Sequence, residues 1–73
     1  MRPDRLLRRE IHHRYLVTTE SGETFDGLLI EADDTHIVLA DVESVAGTGA
    51  RLKVDGKLWL PRLNIAYMQQ PKA

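Results

Sequence analysis

The chain has 73 residues, with ten Lys and Arg against eleven Asp and Glu, a formal net charge of −1, and no cysteine. That length describes one small domain, and the charge balance excludes a globally basic protein of the kind that coats nucleic acid indiscriminately. The absence of cysteine excludes a disulfide framework and a thiolate metal site.

No apolar run approaches the roughly 20 residues needed to span a bilayer, and the Arg-rich start is not followed by an apolar stretch. Neither a membrane segment nor a signal peptide is therefore expected, and a cytoplasmic location is the default. A domain of this size buries only about 60% of its unfolded surface, so association with copies of itself is a natural source of extra stability. Charge is unevenly spread. Residues 1 to 14 hold Arg2, Arg5, Arg8, Arg9 and Arg14 against Asp4 and Glu10, a balance of +3 that leaves −4 for the rest. One basic surface on an acidic body is the expectation.

In chain order, Pro3 followed by Asp4 predicts a helix start and a helix over 3–14, with proline at the first helical position and a carboxylate at the positive end of the dipole. Leu6, Leu7 and Ile11 then share one side, while Arg5, Arg8, Arg9 and His12 share an arc of about 100° on the other. On an isolated domain that arc is a solvated face; in a ring, repeated copies add up to a cationic surface.

The period then changes to two. Tyr15, Val17 and Thr19 alternate with Leu16, Thr18 and Glu20, Ser21-Gly22 supplies a turn, and Phe25, Gly27 and Leu29 alternate with Asp26, Leu28 and Ile30 until Asp33-Asp34 breaks the pattern. Gly27 lies inside that second strand. A glycine there weakens a strand unless the backbone must bend or be closely approached, so Gly27 predicts the point where the sheet curls. From His36 the alternation resumes to about Val45, 46–50 forms a flexible tip, and 51–60 has two readings. Either it runs back along the third strand with Asp55-Gly56 as a bulge, or Asp-Gly turns 51–54 and 57–60 into their own hairpin. Pro61 ends ladder pairing, 64–69 forms a fifth strand, and 70–73 is a frayed tail.

Gly22, Phe25, Gly27, Leu29 and Asp33, with Tyr15 and Val17 upstream, have the spacing of the first Sm motif of Sm-like (LSm) proteins, and the run from Leu60 to Met68 resembles a degenerate second Sm motif. On these residues the chain resembles the Sm-like small β-barrel family, of a degenerate bacterial or phage type. The resemblance implies a mainly β fold: an N-terminal helix on a five-stranded, strongly bent Sm-like (SH3-like) barrel spanning 15–69. It also implies a homo-oligomeric ring, a hexamer or heptamer, in which the fourth strand of one subunit pairs with the fifth of the next, and binding of single-stranded RNA without a cofactor. By the same resemblance Asp33, Asp34, Thr35 and His36 form a loop at the ring's pore. There the chain departs from the family: Thr35-His36 stands where an apolar residue and an Asn are expected, and the second motif's Arg-Gly pair is reduced to Arg62-Leu63.

The residues expected to contact RNA are Arg62, His36, Asn64 and Thr35 at the pore and Arg5, Arg8 and Arg9 on the helix. Arg62 suits a phosphate or a base plane, and His36 can stack. The plain alternatives are an exposed connector charge for Arg62 and a polar strand opener for His36. Trp59, flanked by Leu58 and Leu60, is either core or an exposed anchor for a neighbouring subunit, and Tyr67 has the same two readings. Enzymatic chemistry is not expected. Ser21 and Ser44 lack a nucleophile elbow, His12 and His13 diverge by about 100° on a helix and cannot share a metal, and Asp33-Asp34 suits a turn. The rival reading is an oligomeric structural or adaptor module that keeps the barrel and has lost RNA binding.

Overall fold

A computed structural model describes residues 11–70. Six strands occur among them: β1 (Arg14–Thr19), β2 (Thr24–Ala32), β3 (His36–Val45), β4 (Arg51–Val54), β5 (Leu58–Pro61) and β6 (Ile65–Gln69), with a 3-10 turn at Arg62–Asn64 between the last two. All pairings are antiparallel. The sheet order is β4-β3-β2-β1-β6, and β5 pairs with β3.

The two-residue periodicity becomes burial directly. Tyr15, Val17, Leu29, Ile37, Leu39, Val42 and Leu60 form the core, and Phe25, Ala32, Val54, Leu58, Ile65 and Met68 pack around it half-buried. Thr19 is the buried polar residue among those described, at 2% exposure. Its hydroxyl oxygen accepts the Glu23 N–H at 3.1 Å and meets the Ser21 hydroxyl at 3.0 Å, so the β1–β2 turn satisfies it from within.

Gly27 does mark the bend, together with a residue on the facing strand. Asp26 pairs with Glu43 and Leu28 with Ala40, so two residues of β3, Asp41 and Val42, oppose the single Gly27. This is a bulge on β3, with Asp41 in the left-handed region at φ 51°, a conformation that aspartate tolerates better than most side chains. A second bulge on β2 at Ile30, where Leu29 faces Leu39 and Glu31 faces Val38, restores the register. Two offset bulges on neighbouring strands coil the sheet over its own core.

Two expectations are corrected. First, the N-terminal helix over 3–14 is not supported: residues 11–14 of that span are not helical, and residues 3–10 lie outside the described residues. The reason is local. His12 has φ 75°, its N–H donates to the Leu29 carbonyl at 2.6 Å, and the His13 carbonyl accepts the Leu29 N–H at 2.9 Å. The backbone there is already engaged by β2 before β1 begins at Arg14. Second, the strand count is six, not five, because 51–60 breaks at Asp55-Gly56, where Gly56 has φ 76°. The separate hairpin is also ruled out. Both pieces pair with β3, Val54 opposite Val42 and Leu58 opposite Leu39, so the gap sits across from the Asp41 bulge.

Candidate nucleic-acid interface

The loop between β2 and β3 is built around one carboxylate. Asp33 Oδ1 accepts the backbone N–H groups of His36 at 2.7 Å and Thr35 at 2.8 Å, and the Thr35 hydroxyl at 3.2 Å. The Asp33 N–H in turn donates to the His36 carbonyl at 2.9 Å. An aspartate that bonds its own backbone two and three residues on replaces the missing ladder partners of a tight turn. The backbone donors of His36 and then Thr35 hold the Asp33 carboxyl below the ordinary aspartate range, since hydrogen bonds to the charged form favour it. His36 Nδ1 meets the Thr35 hydroxyl at 2.9 Å, which orients the imidazole.

The second part of the site docks onto this loop. Pro61 stands opposite His36 at the end of the β3–β5 pairing, so the chain enters the 3-10 turn beside the loop. The Arg62 N–H donates to the Thr35 carbonyl at 2.8 Å, and the Arg62 guanidinium donates to the Asp33 carbonyl at 2.7 Å. Thr35, His36 and Arg62, 26 positions apart between His36 and Arg62 in the chain, are therefore one hydrogen-bonded cluster. That guanidinium has further N–H donors, so the contact that positions it leaves donors for a phosphate or a carbonyl.

Asn64 closes the 3-10 turn, and its carbonyl accepts the Glu20 N–H at 2.7 Å, tying that end to the β1–β2 turn. It is two residues from Arg62, but no bond joins it to the β2–β3 loop. Arg5, Arg8 and Arg9 lie outside the described residues. Asp33 is the member of this site that sequence reasoning put in the loop but gave no role beyond the turn. Its spacing to Thr35 and His36 is the signal that could have identified it as the loop's organiser.

Elsewhere three of the described cations, Arg14, Arg51 and Lys53, are taken up in ion pairs. Asp26, its side chain 15% exposed, lies between Arg14 at 3.2 Å and Arg51 at 2.7 Å; Arg51 also reaches Glu43 at 3.0 Å. Arg14 reaches Asp41 at 3.1 Å, and Lys53 bonds the same carboxylate. The Lys53 ammonium, and after it Arg14, holds the Asp41 carboxyl below its ordinary range. Of the described cations, Lys57 and Arg62 are the two outside this set of ion pairs. The large apolar side chains left exposed, Leu52, Trp59, Leu63 and Tyr67, lie on β4, β5, the 3-10 turn and β6. These include both outer strands of the sheet. Trp59 takes the exposed reading because Leu58 and Leu60 turn inward.

No protein-family profile and no curated protein matches the sequence. Solved structures do match over nearly the whole chain. An Sm protein of Pyrococcus abyssii, solved in complex with a uridine heptamer, is 29% identical with a TM-score of 0.82, covering 97% of this chain and 100% of that one. The P. aerophilum SmAP1 heptamer is 19% identical with a TM-score of 0.84, covering 97% and 95%. A heptameric archaeal Sm protein is 20% identical with a TM-score of 0.81, covering 93% and 98%.

Proposed function

We propose, from the premise that this chain is an Sm-like protein, that it binds single-stranded RNA as a homo-oligomeric ring. The observation that carries the reading is the Thr35–His36–Arg62 cluster. Two loops distant in sequence are bonded to each other by an arginine backbone and side chain, and they present a hydroxyl, an imidazole and a guanidinium together. Phosphate pairing by the guanidinium and base stacking by the imidazole are the contacts that single-stranded RNA recognition uses. The complex of the Pyrococcus abyssii protein with a uridine heptamer supports the same reading by likeness.

The ring rests on the edges. β6 pairs with β1 on one side, and β4 and β5 pair with β3 on one side, so each leaves a row of backbone groups without a strand among the described residues. Such rows invite another chain. A contact between two different edges of identical copies is head-to-tail, and closes into a ring when the rotation allows. Leu52 at 72% exposure on one edge and Tyr67 at 54% on the other supply apolar surface for it.

Light scattering after size exclusion tests the assembly, and fluorescence anisotropy with short single-stranded RNAs tests the binding. A mass near six or seven chains is expected, with RNA affinity that falls steeply as salt rises from about 50 to 200 mM. A monomer that ignores RNA at about 50 mM salt refutes the reading.

A further inference from the structure

We propose that RNA binding at the Thr35–His36–Arg62 cluster takes up a proton at His36, so that the site holds RNA at mildly acidic pH and releases it as the pH rises through neutrality. The inference rests on the RNA-binding reading and adds to it a control.

The hydrogen bonds of the loop assign the tautomer of His36. The Thr35 hydroxyl donates to Asp33 Oδ1 at 3.2 Å, and a hydroxyl has one proton to give. Its oxygen, 2.9 Å from His36 Nδ1, therefore accepts, and Nδ1 carries the hydrogen of the neutral ring. This leaves Nε2, across the ring, as a bare acceptor, with no hydrogen-bond partner among the described residues. A lone pair there opposes a phosphate oxygen. Protonation turns Nε2 into a charged donor that can bond one. The bonds running from Nδ1 through Thr35 to the Asp33 carboxylate then steady the imidazolium.

The charges around the ring give that proton its weight. From β2 and the loop after it come Glu31, Asp33 and Asp34, and Glu31 and Asp33 line one hollow with His36, Ile11 and Trp59. Glu31 and Trp59 stand opposite Val38, two residues along β3 from His36 and on its side of the sheet. β5 itself, Leu58, Trp59, Leu60 and Pro61, brings no charge. The 3-10 turn brings Arg62, and the segment before β1 carries His12 and His13 next to Ile11. With His36 neutral, the cluster holds one guanidinium beside three carboxylates, and Asp33 stays ionised near neutrality because its carboxyl is held below the ordinary range. A phosphate arriving there meets net repulsion. Imidazole is the side chain that gains charge between about pH 5 and 8. In a ring every copy makes the same change, so the gain multiplies along one RNA chain.

Heptauridylate is the probe, because uracil has no group that titrates near neutrality. By fluorescence anisotropy at one salt concentration, its affinity is expected to be about tenfold higher near pH 5.5 than near pH 7.5, the lower end of what one hydrogen bond to a charged group contributes. Calorimetry midway between, in two buffers of different ionisation enthalpy, is expected to show protons taken up on binding. His36→Asn should flatten the pH profile. Thr35→Val, which frees the neutral ring to carry its hydrogen on Nε2, should make it shallower by raising the affinity at the higher pH. His12→Asn combined with His13→Asn should keep the parent's profile. Equal affinity at both pH values without proton uptake overturns the switch and leaves RNA binding intact, as does a parent-like profile in His36→Asn. A change of mass in light scattering that tracks the lost affinity overturns it in favour of pH-dependent assembly. Failure to bind at either pH overturns the switch together with the reading it rests on.

Discussion

Replacing Gly27 by alanine tests how the bend is made. A Cβ added there would stand 3.1 Å from Leu39 Cβ and Val42 Cγ2, and 3.4 Å from Leu39 Cδ1, against an optimum of about 3.5–4.0 Å between carbon atoms. Neither close neighbour can swing away. Leu39 Cβ is fixed to its backbone, Val42 is β-branched and stiff, and both residues are fully buried. The strands must therefore separate at the bulge, an overpacking cost of about 1–3 kcal/mol. The lower chain entropy of alanine in the unfolded state offsets about 0.4–1 kcal/mol of this. The net loss is about 1–2 kcal/mol, and at about 4–8 °C per kcal/mol for a domain of this size Tm should fall by roughly 5–15 °C. Circular dichroism melts compare the variant and the parent at one fixed protein concentration, since association shifts Tm. Val42→Ala in the Gly27→Ala background should then cost less than it does alone, because it clears one of the two contacts. A Gly27→Ala protein that melts within about 2 °C of the parent, or above it, refutes the crowding argument.

Asp33→Asn should expose the loop's dependence on a charged acceptor. Because the native carboxyl is held low, its stabilising effect is complete above the unfolded value of about 4 and is lost as the pH falls through the lower native value. Melts of parent and variant should differ at pH 6 and converge on acidification, and a gap that widens toward acid contradicts the assignment. Arg62→Ala should lower RNA affinity and reduce the salt slope by about 1, with the melt nearly unchanged, as anisotropy across a salt series would reveal; an unaltered slope removes Arg62 from the phosphate contacts. Leu52→Glu or Tyr67→Glu should shift the mass seen by light scattering toward the single chain, since each places a charge on an exposed apolar edge. Full-sized assemblies from both variants would remove these side chains from the contact.

Much of the architecture was readable in one dimension because a strand's side-chain period is short and local. Tyr15 and Val17 share a face of β1 as their alternation required, and with Leu29 they turn inward, and the Ser21-Gly22 turn and the breaks at Asp33 and Pro61 fall where backbone chemistry put them. Gly27 announced a bend for the same reason, a missing side chain inside a strand. The start was misread because residues 11–14 fit a helical face as well as an extended one. The decision came from Leu29, a partner 17 positions away from His12 in the chain. Likewise Asp55-Gly56 allowed both a bulge and a hairpin, and only the shared partner strand β3 resolved it.

By itself, then, the sequence determined the strands outside 51–60, the division of their side chains between two faces, and the position of the bend. Each of these depends on a residue and its near neighbours. Tertiary structure alone decided the bulge at Asp41 that completes the bend, the bonding of Arg62 to the β2–β3 loop, and the row of Glu31, Val38 and Trp59 across three strands. Those are matters of register, and register is set by pairing between distant segments: one residue of slip would turn every side chain on a strand to the opposite face.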